Sequence, residues 1–178
     1  MIKIGITGSL ASGKTTASKI LSNKRGPLFS ADFVVKELYK NRKFRSLISK
    51  KFEIENNNKI KESLKKLVLK NKKNLKKLEK IVHPLVRKKM REFSSKYKRK
   101  KILFYEIPLL IESKLMKYFD VIIFIKSKKK VRLRRFKSQK GNKDLFNLLN
   151  NQQMHDKNKI RFCDFVVVNE KNFKILKK

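Results

Sequence analysis

A chain of 178 residues, 40% of them hydrophobic, is long enough to bury one α/β core, and no apolar run approaches the ~20 residues that cross a bilayer. Its single cysteine, Cys163, excludes an internal disulfide or a cysteine-rich zinc site within these residues; it suits a reducing cytoplasm, and Cys163 itself reads as a small buried hydrophobe. Fifty Lys and Arg against 14 Asp and Glu give a net charge of +36, but the lysines are spread through almost every predicted helix and loop, beside abundant Asn, Ile and Phe. That spread reads as AT-rich codon bias acting on solvated positions. A polyanion-binding role is the competing reading, and such a surface would in either case attract anionic substrates.

Ile2-Lys3-Ile4-Gly5-Ile6 reads as a short strand at the start of the sequence, so no cleavable signal peptide is expected before it. Gly8-Ser9-Leu10-Ala11-Ser12-Gly13-Lys14-Thr15 follows and fits Gly-x-x-x-x-Gly-Lys-[Ser/Thr], a P-loop. Its two glycines let the backbone curl into a nest of N–H groups, and the next helix adds the positive end of its dipole. Ala17, Ile20 and Leu21 supply that helix's apolar spacing. Strand, glycine loop and helix are the setting that the motif requires, and they predict a nucleoside triphosphate site. Residues 11–16 would enclose the triphosphate, with Lys14 reaching the β- and γ-phosphates and the Thr15 hydroxyl taking a Mg²⁺ ligand position.

Pro27-Leu28-Phe29-Ser30 reads as a second strand, expected next to the P-loop strand and ending at Ala31-Asp32. A carboxylate there either accepts the proton of an incoming hydroxyl or caps the helix expected from Phe33. Residues 41–98 form a lysine-rich, glycine-free helical insertion, with stripes at Leu64, Leu67 and Val68 and at Leu75, Leu78, Ile81 and Val82. Pro84 should start a new helix with His83 near its cap. Lys101-Ile102-Leu103-Phe104-Tyr105-Glu106 and Asp120-Val121-Ile122-Ile123-Phe124-Ile125 are continuous apolar runs of buried parallel strands, separated by the apolar segment Ile107-Pro108-Leu109-Leu110-Ile111-Glu112. A basic stretch, a helix through Leu145, Leu148 and Leu149, and a last strand Phe165-Val166-Val167-Val168 complete the chain. Strands alternating with helices predict an α/β fold with a parallel sheet: a three-layer P-loop NTPase.

Five motifs in order resemble those of the dephospho-coenzyme A kinase family, over nearly the whole chain. They are Gly5-Ile6-Thr7-Gly8 before the loop, Ser30-Ala31-Asp32, His83-Pro84-Leu85-Val86 followed by Arg87, Pro108-Leu109-Leu110-Ile111-Glu112, and Gln153 with Lys159, Cys163-Asp164 and a strand ending in Asn169. The resemblance implies transfer of the ATP γ-phosphate to the ribose 3′-hydroxyl of dephospho-CoA, with Mg²⁺. It implies a single kinase domain over residues 1–178: a nucleotide-binding core (1–40 and 99–178), a CoA-side helical insertion (41–98) and a lid (about 128–158). Gly8, Ala11, Ser12, Gly13, Lys14, Thr15 and Thr16 would bind the nucleotide, and Asp32 would be the general base. Arg135 would stabilise charge on the transferring phosphoryl group, and His83 and Arg87 would face the acceptor. Glu106 could act on the magnesium through water, Glu112 either positions a helix or touches substrate, and His155 reads as a surface residue.

The sequence departs from the family at several points. Ser30 replaces an acid, Ser9 and Ala11 replace glycines and should stiffen the loop, and Gln139 stands for a second lid arginine, with Lys137 and Lys140 as substitutes. The carboxyl-terminal helix of many relatives is expected to be short or missing. The rival readings are another small-molecule P-loop kinase, such as a nucleoside monophosphate kinase, and a nucleic-acid-binding ATPase. Neither a membrane nor nucleic acid is expected as a partner.

Overall fold

A computed structural model describes residues 1–170. Five strands, β1 (Ile2–Gly8), β2 (Leu28–Ser30), β3 (Ile102–Glu106), β4 (Val121–Lys126) and β5 (Phe165–Val168), form one sheet in the order β2-β3-β1-β4-β5. Every pairing is parallel. Successive residues of β3 and β4 are buried, so both faces of the central sheet are covered. The register aligns Ser30 with Glu106 and Glu106 with Ile6, bringing the carboxyl ends of β2 and β3 level with β1 just before its glycine loop.

β2 therefore does not adjoin β1, as the sequence suggested: β3 lies between them. The four apolar residues of β3, Ile102 to Tyr105, gain most from a place with partners on both edges, whereas the three residues of β2 suffice for an edge. Ile6, Ala17, Phe104, Ile123 and Ile125 make the core under the sheet's centre. Fully buried Tyr105 packs on Phe29, Phe93 and Phe119, its hydroxyl 2.7 Å from Ser94 Oγ.

α1 (Lys14–Ser22) follows the loop, and α6 (Lys129–Ser138), α7 (Lys143–Asn151) and α8 (Asp156–Ile160) connect β4 to β5. Asn142 caps α7 by accepting from Leu145 N at 2.8 Å. Exposed His155 caps α8, a short helix whose single turn left no periodic signal. The expectation about a carboxyl-terminal helix lies outside the described residues.

Residues 32–92 form a second compact unit. α2 (Ala31–Leu38), α3 (Arg42–Phe52), α4 (Ile60–Lys70) and α5 (Lys72–Lys96) supply it. Phe44, Ile48 and Phe52, one turn apart on α3, meet Ile60, Leu64 and Val82 in its core, with Val35, Leu38 and Tyr39 packed against them. Asp32 is the second residue of α2, in its first turn and not at its cap, where a carboxylate suits the helix dipole. Pro84 does not start a new helix: α5 runs through it for 25 residues. Proline removes one backbone donor there, but Leu78, Ile81 and Val82 before it and Leu85 and Val86 after it are all packed into the same core. That continuous apolar face outweighs the lost bond, and His83 lies inside the helix.

α3 ends on Glu53 in the left-handed region, φ 53°, with its N–H on Ser49 O. A side chain there is strained, and a carboxylate at a helix carboxyl end opposes the dipole. Glu53→Gly should therefore stabilise the protein by about 0.5–1 kcal/mol, read as a higher denaturation midpoint in urea.

Candidate active site

The loop between β1 and α1 is shaped by what its glycines permit. At Gly8 a Cβ would lie 2.5 Å from Ile125 O, and at Gly13, with φ 91°, it would lie 2.1 Å from Asn169 Nδ2. Ala11 takes φ 57° without being glycine. Inside the curl Ser12 N donates to Ser9 O at 3.1 Å, and Lys14 Nζ donates to the same carbonyl at 2.9 Å. Lys14 is nearly buried, so its ammonium is held over the loop in a region of weak screening.

Residues far along the chain grip this backbone from two sides. On the Gly13 side, Asn169 Nδ2 donates to Ser12 O at 2.9 Å, and Arg135 Nη1 donates to Ser12 O at 3.2 Å and Asn169 O at 3.1 Å. On the Ser9 side, Ser9 Oγ donates to Asp156, Gln153 Oε1 accepts from Leu10 N at 2.9 Å, and Arg132 Nη1 donates to Leu10 O at 3.2 Å. Arg132 is nearly buried, and burial lowers its pKa while Asp156 opposes that shift.

Thr15 Oγ1 donates to Glu106 Oε1 at 2.5 Å, joining the first turn of α1 to the end of β3. Glu106 is fully buried, and its Oε2 has no hydrogen-bond partner among the described residues. A hydroxyl and a carboxylate with a spare oxygen form a hard donor set that fits Mg²⁺.

Glu112 accepts from Met154 N at 3.1 Å and pairs with Lys159 Nζ at 2.7 Å. Of the two openings left by the sequence for Glu112, positioning is the one that these contacts describe. Lys159 is fully buried, so its charge depends on that partner. Cys163 is half-buried, its Sγ 3.2 Å from Lys159 O, and burial first and Asp164 second push its thiol up to about 11. It stays a protonated, unreactive thiol near neutrality.

Asp32, His83 and Arg87 belong to the helical unit. His83 and Arg87 stand one turn apart on α5. His83 has a lowered pKa, chiefly from burial; Arg87 adds to the shift and Glu79 opposes it. The structure thus unites Gly8, Ala11, Ser12, Gly13, Lys14, Thr15, Thr16 and Arg135 around one loop, and places the other three in a separate unit. Sequence reasoning missed Arg132 and Asp156, and quoted Gln153, Lys159 and Asn169 without a role. The family motif was the available signal for the last three, and none marked the first two.

Two outcomes follow from this geometry. Ala11→Gly, by removing left-handed strain, should stabilise the fold by about 1 kcal/mol and raise the thermal midpoint by about 2–4 °C. Lys159→Met, which leaves Glu112 with a half-buried uncompensated charge, should cost about 3 kcal/mol in denaturant unfolding.

A family model described as dephospho-CoA kinase matches residues 2–174. A protein named dephospho-CoA kinase from Bartonella quintana (strain Toulouse) is 36% identical over 169 residues, covering 92% of this chain and 87% of its own. One of the same name from Fusobacterium nucleatum is 33% identical over 178 residues, covering 97% and 92%. Among solved structures, TT1252 from Thermus thermophilus superposes with a TM-score of 0.79 at 26% identity, over 99% of this chain and 92% of its own.

Proposed function

The chain belongs to the dephospho-CoA kinase family, and on that premise we propose that it transfers the γ-phosphate of ATP to the ribose 3′-hydroxyl of dephospho-CoA, giving coenzyme A and ADP. The observation that carries the structural side of this reading is the hydroxyl–carboxylate pair Thr15–Glu106 beside the Lys14 loop. It puts one cation and two hard oxygen donors where a polyphosphate would end.

Phosphoryl transfer asks a protein mainly for positioning and charge stabilisation. Backbone N–H groups from Ala11 to Thr16 and the α1 amino end would bind the phosphates, with Gly8 admitting the turn. Lys14 would exchange the Ser9 carbonyl for phosphate oxygens. Thr15 would hold Mg²⁺, with Glu106 accepting from its water shell; the ion supplies neutralising charge. Arg135, whose guanidinium lies on the Gly13 side of the loop, would add positive charge for the transferring group. Asp32 would take the proton of the 3′-hydroxyl. Arg87 and His83, whose pKa burial lowers, would face the acceptor. No described helix is long and apolar enough to cross a membrane, and the cytoplasm is the compartment that this chemistry suits.

The direct test is ADP release with dephospho-CoA compared with AMP, UMP and dTMP as acceptors. Turnover with dephospho-CoA is expected, and activity confined to a nucleoside monophosphate would sink the reading. Asp32→Asn should lower kcat by roughly 10²–10⁴-fold with ATP affinity little changed. Near-normal turnover in that variant would return Asp32 to a purely helical role.

A further inference from the structure

We propose that Gln153 and Asp156 are positioning residues of the nucleotide site: from the far end of the α6–α8 segment they hold the Ser9–Leu10 half of the loop in its phosphate-binding shape. A cradle whose N–H groups converge needs a residue with left-handed backbone at its bend. Glycine adopts it without cost, but here Ala11 does so at φ 57°. A non-glycine residue in that region costs about 1–3 kcal/mol and persists only where its surroundings over-determine it.

The surroundings do so at the two residues before the bend. Both backbone polar groups of Leu10 are taken by side chains, its N–H by Gln153 Oε1 at 2.9 Å and its carbonyl by Arg132 Nη1 at 3.2 Å. Ser9 is held through its hydroxyl by Asp156. Arg132 is itself anchored by Asn150 Oδ1 at 2.8 Å and, through Nε, by Ser127 O at 3.1 Å. Gln153 and Asp156 flank Met154, whose N–H is bound by Glu112, which also pairs with fully buried Lys159. A rigid path therefore runs from the apolar segment after β3, through Glu112, to the strained bend. One consequence is specific: the Leu10 N–H faces Gln153, so the phosphate donors begin beyond it. The part of the chain that reads as a lid from sequence thus includes, at its carboxyl end, a fixed brace on the donor site.

The inference rests on the kinase reading only in that the loop binds a nucleotide, so its test reads ADP affinity by calorimetry on the full chain. Gln153→Met keeps the side chain's length and removes the acceptor; ADP affinity should fall about tenfold, the scale of one hydrogen bond. In steady-state assays KM for ATP should rise by a similar factor, with KM for dephospho-CoA within twofold of the wild type. Gln153→Glu, which retains an acceptor, should restore ADP affinity to within about threefold. Ala11→Gly added to Gln153→Met should recover most of the loss, because glycine no longer needs the brace. ADP affinity within twofold of the wild type in Gln153→Met overturns the proposal. So does an equal loss in Gln153→Glu, or no recovery with glycine at position 11. Should Gln153→Met fail to fold, Asp156→Ala carries the same expectation with the same readouts. A wild-type protein that binds ADP but leaves dephospho-CoA unphosphorylated would defeat the proposed function and leave this test intact.

Discussion

Between β1 and α1 the backbone must turn tightly enough for its N–H groups to converge, and the rest of the sheet-containing unit is arranged around that bend. Gly8 lies too close to the Ile125 carbonyl, and Gly13 too close to Asn169, for either to carry a Cβ. Placing β1 in the middle of a parallel sheet brings the turn to the carboxyl edge, with β3 on one side and β4 on the other. That edge is where open α/β sheets bind ligands. β3 delivers Glu106 to Thr15, while the segments beyond β4 and β5 deliver Ser127, Arg135 and Asn169. The bend is therefore held by side chains from the end of β3, from α6, from the start of α8 and the residues before it, and from the residue after β5.

Local pattern made the loop, the helix after it and the three apolar central strands legible, because each depends on residues a few positions apart. The spatial order of the strands was not legible in the same way. Nothing in Pro27-Leu28-Phe29-Ser30 says that β3 will lie between it and β1, since that is decided by competition for a doubly paired place. Pro84 misled for a related reason: a local rule against proline gave way to an apolar face that continues on both sides of it. The brace on Ser9 and Leu10 joins residues more than a hundred positions apart. Charged and amide side chains carry no periodic signal, so Arg132 and Asp156 could not be singled out. Gln153, Lys159 and Asn169 were visible only as parts of a family motif.

The composition leaves a physical trace in the fold. With only five glycines in the chain, several left-handed positions fall to other residues: Ala11, Lys24, Glu53, Lys114 and Lys140 all have φ between 53° and 61°. At helix ends such strain is a modest local cost. At Ala11 it falls on the glycine loop, next to the Ser9 and Leu10 contacts with Asp156, Gln153 and Arg132. The basic excess is mostly solvated, and the exceptions are informative. Lys14, Arg132 and Lys159 are the buried cations among the described residues. Each lies on the loop or on the path that supports it.

The reaction is defined by where the phosphate goes. Phosphorus-31 NMR of the purified product of ATP, Mg²⁺ and dephospho-CoA reads this directly. One new phosphomonoester on the ribose 3′-oxygen, formed in equal amount with ADP, is the expected result. ADP formed without that resonance, or a phosphate attached at any other oxygen, would contradict it.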